Sequence, residues 1–316
     1  MILIAELCQN HNGDFELLKE MIYAAKESGA DYVKIQSIFA NMLSYRERFE
    51  EGLIINGKQI HIKRPYKEEY NRLKKLELSF LRQAEFVSIC NQINIKPLTT
   101  SFNILSIPQI VKAGFKDIKI ASYDCGSGQL IRQLKPHFNK IFLSTGASSD
   151  DEIKNAARLL YNSNYYMLHC VTLYPTPLKE YHLSRMDYLK QYTKQVGWSD
   201  HSLVERDGIK GSIAAIYFGA KVLERHFTIL QSKRTKDGPV SISPKQLKEI
   251  RKFSKLSNKD QQEYLDNVYP RYMETLGNEN RKLSNEELLN RDYYRGRFAN
   301  IAENGEIFYN WEKNKN

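Results

Sequence analysis

The stretch MILIAELCQNHNGDFELLKEMIYAAKESGADYVKIQ, residues 1–36, decides the fold. Its first apolar run, Ile2-Leu3-Ile4-Ala5-Glu6, has the length and composition of a buried strand. Asp14 to Ser28 reads as an amphipathic helix, with Asp14 as its cap and Gly29 as its stop. A second strand, DYVKIQ, ends at Gln36. Such a strand–helix–strand unit opens either a doubly wound sheet or a barrel. The doubly wound fold carries a glycine-rich phosphate turn after its first strand, and CQNHNGD is not one.

Working outward, the same rhythm continues. KPLTTSF ends a third strand at Phe102, and DIKIAS ends a fourth at Ser122 after the short helix IPQIVKAG. KIFLSTG is the fifth, followed by a helix opened by Ser149 or Asp150; YYMLHC, QVGWSDH and KVLERHF are the sixth, seventh and eighth. Eight strands alternating with helices predict an α/β fold, a TIM barrel over residues 1–252. Residues 253–316 turn polar and read as a C-terminal linker and tail with short helices. Residues 37–76 form a long charged excursion, in which LIINGKQIHI carries an Asn-Gly hairpin signal.

Composition excludes several classes. The 316 residues are 41% hydrophobic, with no apolar run long enough to span a membrane and no signal-peptide pattern at the N-terminus. The net charge of +10 is dispersed rather than gathered into a basic run, which argues against nucleic acid and for anionic small molecules. Four scattered cysteines, Cys8, Cys90, Cys125 and Cys170, without a CxxC pair, fit buried thiols in a reducing, cytoplasmic setting.

In TIM barrels the chemistry sits at the C-terminal strand ends. Here those ends are Glu6, Lys34, Gln36, Thr100, Ser101, Lys119, Ser122, Ser144, Thr145, His169, Ser199, His201, Glu224 and His226. Residues i and i+2 of a strand share a face, so Lys34 points with Gln36, Ser199 with His201, and Glu224 with His226. Lysines flanked by apolar residues within a strand are poorly placed for solvent, which gives Lys34 and Lys119 an anion-binding role. His201 and His226, on neighbouring strands, make a metal site. His169, beside Cys170, either supports the site residues from behind or is structural, while His11 either acts in catalysis or shapes the turn before Gly13. Lys58, His61, Lys63 and Arg64 are read as a solvated loop face.

IAELCQNHNGD, GADYVKIQ, TTSF, IKIAS, LSTGASS, LHCVTLYPTP, GWSDHS and LERHFT occur in this order, and together they resemble the sialic acid synthase family (N-acetylneuraminate, legionaminate and pseudaminate synthases). The resemblance covers roughly residues 1 to 250. It implies a TIM barrel condensing phosphoenolpyruvate with a 2-acetamido sugar aldehyde, N-acetylmannosamine or a 6-deoxy diacetamido hexose, to a nonulosonic acid and phosphate. It further implies a divalent metal, Mn or Mg, and a homodimer, with neither nucleic acid nor membrane as partner. Residue by residue, it implies His201 and His226 as metal ligands and Glu6 as the catalytic carboxylate. Lys34, Thr100, Lys119, Ser122, Ser144 and Ser199 match positions that hold phosphoenolpyruvate; Gln36, Tyr174 and Asp237 match positions near the sugar.

Three departures bear on the sugar. The family's small C-terminal antifreeze-like domain, which lends an arginine to the partner's sugar site, is at most begun from Arg291, leaving Arg295 or Arg297 as candidates for that role. The segment after strand eight reads KDGPVSISP, and Thr172 stands where many members have Asn. Tyr293, Arg295, Arg297 and Phe298 form an aromatic–cationic cluster, which either packs the chain end against the barrel or closes the mouth of a second subunit. The alternatives are a metal-dependent aldolase, or a synthase using another, phosphorylated sugar aldehyde, or a non-catalytic barrel subunit.

Overall fold

The computed structural model describes residues 1–312. Eight strands close into one parallel barrel: β1 (Ile2–Cys8), β2 (Tyr32–Ser37), β3 (Lys96–Ser101), β4 (Asp117–Ile120), β5 (Lys140–Ser144), β6 (Tyr165–His169), β7 (Val196–Asp200) and β8 (Val222–His226). Each pairs with its neighbours in chain order, and β1 closes the ring by pairing with both β2 and β8. All eight predicted strands are therefore present.

Alternation along the strands builds the interior in layers. Ile4, Tyr32, Leu98, Phe142, Tyr166, Leu168 and Val222 form one buried apolar cluster filling the lower barrel. Their chain neighbours, among them Leu3, Val33, Leu143 and Leu223, belong to the larger core under the helices. Burying a side chain such as Phe142 contributes about 1.5–3 kcal/mol. Two residues further along, the inward positions turn polar. Glu6 sits beside Lys34 and His226 across the two flanking ladders, Thr100 beside Gln36 and Lys119, and Glu224 beside Ser199. The period that plugs the barrel thus also loads its mouth.

Local signals set the helix ends. The Asp14 carboxylate accepts from the Glu16 and Leu17 amides to open the helix Phe15–Glu27, and Gly29 follows it at φ +89°, in the left-handed region glycine adopts without steric cost. Ser149 caps Asp150–Leu159 in a reciprocal pair with Glu152. No helix among the described residues is long and apolar enough to cross a membrane.

Two irregular regions cover the mouth. The excursion forms the expected hairpin, Leu53–Ile55 with Lys58–His61, turning on Asn56 and Gly57 at positive φ, and then a helix, Tyr66–Lys74. The tail packs Asn258–Val268 on the barrel helix Lys210–Tyr217, then carries a further helix, Asn285–Tyr294, back to the excursion. Arg46 donates to the Tyr293 carbonyl at 2.6 Å, the Ser44 amide to the Arg297 carbonyl at 2.9 Å, and Leu43 bridges Phe298. Phe49 and Tyr293 meet edge to face at 5.1 Å. The aromatic–cationic cluster thus packs on its own chain.

Candidate active site

A cavity of about 480 Å³ opens at the C-terminal ends of the strands. Its wall carries Glu6, Lys34, Gln36, Thr100, Lys119 and Ser122, and opposite them Ser144, Tyr174, Ser199, His201, Glu224, His226 and Asp237. The twelve residues expected at the site are therefore brought together, with Glu224 added.

The floor is built from two buried ion pairs. Lys34 Nζ donates to Glu6 Oε2, and the other oxygen of Glu6 accepts from the Cys8 amide at 2.7 Å. Lys119 Nζ donates to both oxygens of Glu224, at 2.7 and 2.9 Å, and Ser199 Oγ donates to Oε1 at 2.8 Å. Burial opposes charge on Glu224, but Lys119 and Lys34 hold its carboxyl well below the usual carboxylate range. For Lys34, burial is likewise outweighed by Glu6 and Glu224, which keep the ammonium above its ordinary value. Lys34 is thereby kept charged in a buried site, and both lysines lie buried, each beside a carboxylate.

The histidines lie on the wall above. Their rings are 5.5 Å apart, and the Nδ1 atoms of His201 and His226 are buried with no hydrogen-bond partner among the described residues. Tyr174 packs its ring 4.3 Å from that of His201, with its hydroxyl 3.3 Å from Nε2. Burial, reinforced by His226, pulls the His201 imidazole down to about 3, so the ring is neutral and able to ligate. Cys8, His226 and Asp237 present ligand atoms within 4.8 Å of one another. The Cys8 thiol donates to Asp237 Oδ2 at 3.0 Å; burial, then the charges of Asp237 and Glu6, push that thiol well up. An imidazole, a thiol and a carboxylate so grouped fit a divalent cation, with His201, which lies outside that group, facing His226 from the next strand.

Sequence reasoning left some of this wall unread. Cys8, one of the four thiols expected to be merely buried, lines the cavity, and its place two residues after Glu6 at the end of β1 is the sequence signal for that. Arg64, expected on a solvated loop face, instead lines the cavity, because the Tyr66–Lys74 helix folds the excursion over the mouth. Arg72, Lys236, Asn290, Tyr294 and Arg297 join it there. Other candidates are structural: His169 is buried with Nε2 2.8 Å from the Tyr181 carbonyl, and His11 Nδ1 accepts from the Gly13 amide at 3.0 Å, shaping that turn. Ser101 and Thr145 are buried and donate to backbone carbonyls, and Thr172 is buried with its own carbonyl accepting from Asn290 at 2.8 Å.

A closed parallel barrel with buried lysine–carboxylate pairs and ligand-bearing histidines at its C-terminal mouth is a TIM-barrel enzyme built for an anionic substrate. The NeuB family model matches residues 21–262, and the chain belongs to that family. It is 34% identical to an N,N'-diacetyllegionaminic acid synthase of Campylobacter jejuni, over 78% of this chain and 73% of the relative. A synthase of the same name from Legionella pneumophila is 31% identical over 78% and 69%. Among solved structures, the N-acetylneuraminic acid synthetase of Leptospira borgpetersenii in complex with citrate superposes with a TM-score of 0.68 at 26% identity, covering 92% of this chain and 90% of that one.

Proposed function

We propose that this protein is a phosphoenolpyruvate-dependent nonulosonate synthase, joining phosphoenolpyruvate to a 2-acetamido sugar aldehyde and releasing phosphate. The observation that carries the reading is the pair of buried lysines, Lys34 and Lys119, facing one cavity with His201 and His226 on its wall. Phosphoenolpyruvate brings a carboxylate and a phosphate, and the two ammonium groups with the hydroxyls of Thr100, Ser122, Ser144 and Ser199 match both by charge-assisted hydrogen bonds. Gln36 and Tyr174 orient the sugar.

The chemistry follows from what lines the floor. Carbon-3 of the enol attacks the aldehyde carbon, forming the new C–C bond, and the aldehyde oxygen takes up a proton. Carbon-2 is left electron-poor; water adds there and gives up a proton, and the bond from carbon-2 to the phosphate oxygen breaks to leave a keto acid and phosphate. Glu6, at the floor beside Lys34, is the group placed to take and return these protons. A divalent cation, Mn or Mg, held by His226 with His201, Cys8 or Asp237, supplies Lewis acidity toward the carbonyl when bound. The four cysteines are all free and buried, which supports a reducing, cytoplasmic setting, and the family supports a homodimer. The tail, 253–316, is an extension that finishes the mouth through Tyr294 and Arg297. Phosphate release from phosphoenolpyruvate with a panel of 2-acetamido sugars, with and without chelator, tests the reading; release independent of any sugar would sink it.

A further inference from the structure

We infer that Arg225, paired with Asp200 on the outer side of the barrel wall, is a positioning residue that holds His201 opposite His226 for the cation. The inference rests on the synthase reading and its metal site, and adds to them the side chains that set the site's spacing. What carries it is where the backbone ladder stops. The pairing of β8 with β7 runs from Val222 with Gly197 to Arg225 with Asp200, and ends there. His226 and His201 are the next residue on each chain, one beyond that last pair. No ladder pair between these two strands therefore spaces the imidazoles.

Alternation sends the flanking residues the other way. Ser199, His201, Glu224 and His226 line the cavity, while Asp200 and Arg225 lie on the opposite face, toward the helices. The outward residues two positions earlier, Trp198 and Leu223, belong to the apolar core. Asp200 and Arg225, 0% and 1% exposed, thus place a charge pair where the barrel otherwise packs hydrocarbon. A buried ion pair gives no net stability over well-packed apolar side chains, so stability alone does not account for it.

Its geometry does. Arg225 Nη1 pairs with Asp200 Oδ1 and donates to Ser202 Oγ at 2.8 Å, and Nη2 donates to the Ser202 carbonyl at 3.2 Å. Asp200 and Ser202 are the residues on either side of His201. A guanidinium carried by the residue before one histidine therefore grips the chain before and after the other. The Asp200 carboxylate is itself fixed: Oδ1 accepts from the Tyr181 hydroxyl at 2.5 Å and the Ser202 amide at 2.9 Å, and Oδ2 from the Ser212 hydroxyl at 2.6 Å. The two rings, 5.5 Å apart, have no hydrogen-bond partner at Nδ1 among the described residues. The clamp on the backbone, rather than a bond to either ring at that atom, sets their spacing. A planar fork can hold two acceptors at a fixed separation, which an ammonium cannot.

The test is a cobalt(II) titration of the metal-free protein followed by absorbance, alongside its thermal unfolding by circular dichroism. Wild type is compared with Arg225→Lys, which keeps the charge but not the fork, and with Asp200→Asn/Arg225→Met, which leaves neither charge unpaired. Leu134→Ala, a core substitution in the helix Gly128–Leu134 after β4, is the destabilised control. We expect the Kd for cobalt to rise about 10- to 100-fold in both clamp variants, with altered visible absorption at saturation, and to stay at the wild-type value in the control. A Kd within about threefold of wild type in the folded clamp variants, or raised no more than in Leu134→Ala, makes the pair merely structural and overturns the inference. Where one clamp variant fails to fold, the other decides; failure of both to fold also overturns it. A wild type that binds no cobalt overturns the metal reading and the inference with it, while phosphate release by that same protein leaves the synthase reading standing.

Discussion

Replacing Lys119 by methionine separates its structural from its binding role. The ammonium lies between the two oxygens of Glu224 at 2.7 and 2.9 Å, with both side chains almost fully buried. Lys119→Met leaves that carboxylate with the Ser199 hydroxyl and the charge of Lys34. Removing one partner of a buried pair costs about 3–5 kcal/mol, because the remaining charge is uncompensated. With an unfolding entropy of about 2.1 cal/mol/K per residue, the 316 residues convert this to a fall in Tm of roughly 5–8 °C. Loss of one charge-assisted contact to phosphoenolpyruvate costs about 1.5–3 kcal/mol, or about 10- to 150-fold in KM. In Lys119→Met/Glu224→Gln the neutral amide keeps the Ser199 bond and needs no counter-charge, so at least half of the lost Tm returns while the KM stays high. Thermal unfolding followed by circular dichroism, with phosphate-release kinetics, reads both quantities. A single variant that melts within about 1 °C of wild type, or a KM unchanged in both variants, would refute the reasoning.

Three further expectations follow from the site. His201→Ala and His226→Ala each abolish phosphate release while leaving the circular dichroism spectrum intact, and undiminished turnover after exhaustive chelation would remove the metal from the scheme. Loaded with cobalt(II), the protein shows a thiolate-to-cobalt charge-transfer band that disappears in Cys8→Ser; persistence of the band would exclude Cys8 as a ligand, and its absence from the wild type would leave the cation to the histidines and Asp237. At Glu69, burial opposes charge, but the hydrogen bonds of Arg72 and the charge of Arg297 lower the carboxyl from 4.5 to about 2. Its contribution to stability is therefore full above about 4.5 and lost as the pH falls from there toward 2. The acid limb of the stability curve should flatten over that window in Glu69→Gln, and an unchanged limb would show that the cluster does not hold this carboxylate.

The barrel was legible in the sequence because its signals are local. A strand of period two that places Ile4, Tyr32 and Val222 inward must place Glu6, Lys34 and Glu224 on the same face two residues later, and His226, the ladder neighbour of Glu6, two residues after that, so the strand-end residues converge once the ring closes. The Asn56-Gly57 hairpin, the Asp14 and Ser149 caps and the stop at Gly29 are equally local, each set by the backbone preference or hydrogen-bonding reach of a single side chain. What only the tertiary structure decided is how the irregular segments close over that ring. Glu69 and Arg297 are 228 residues apart, and nothing in the periodicity of either segment reports that they meet. Their contact depends on the packing of Phe49 on Tyr293 and on Arg46 reaching the carbonyls of the tail, which in turn places Arg64 and Arg72 over the mouth rather than in solvent. Cys8 shows the same division: its face was readable from Glu6, but its neighbours Asp237 and His226 reach it only through the closure of β1 on β8 and the fold of the loop beyond. Local alternation determines which way a side chain points; which groups it meets there is decided by contacts between segments far apart in the chain.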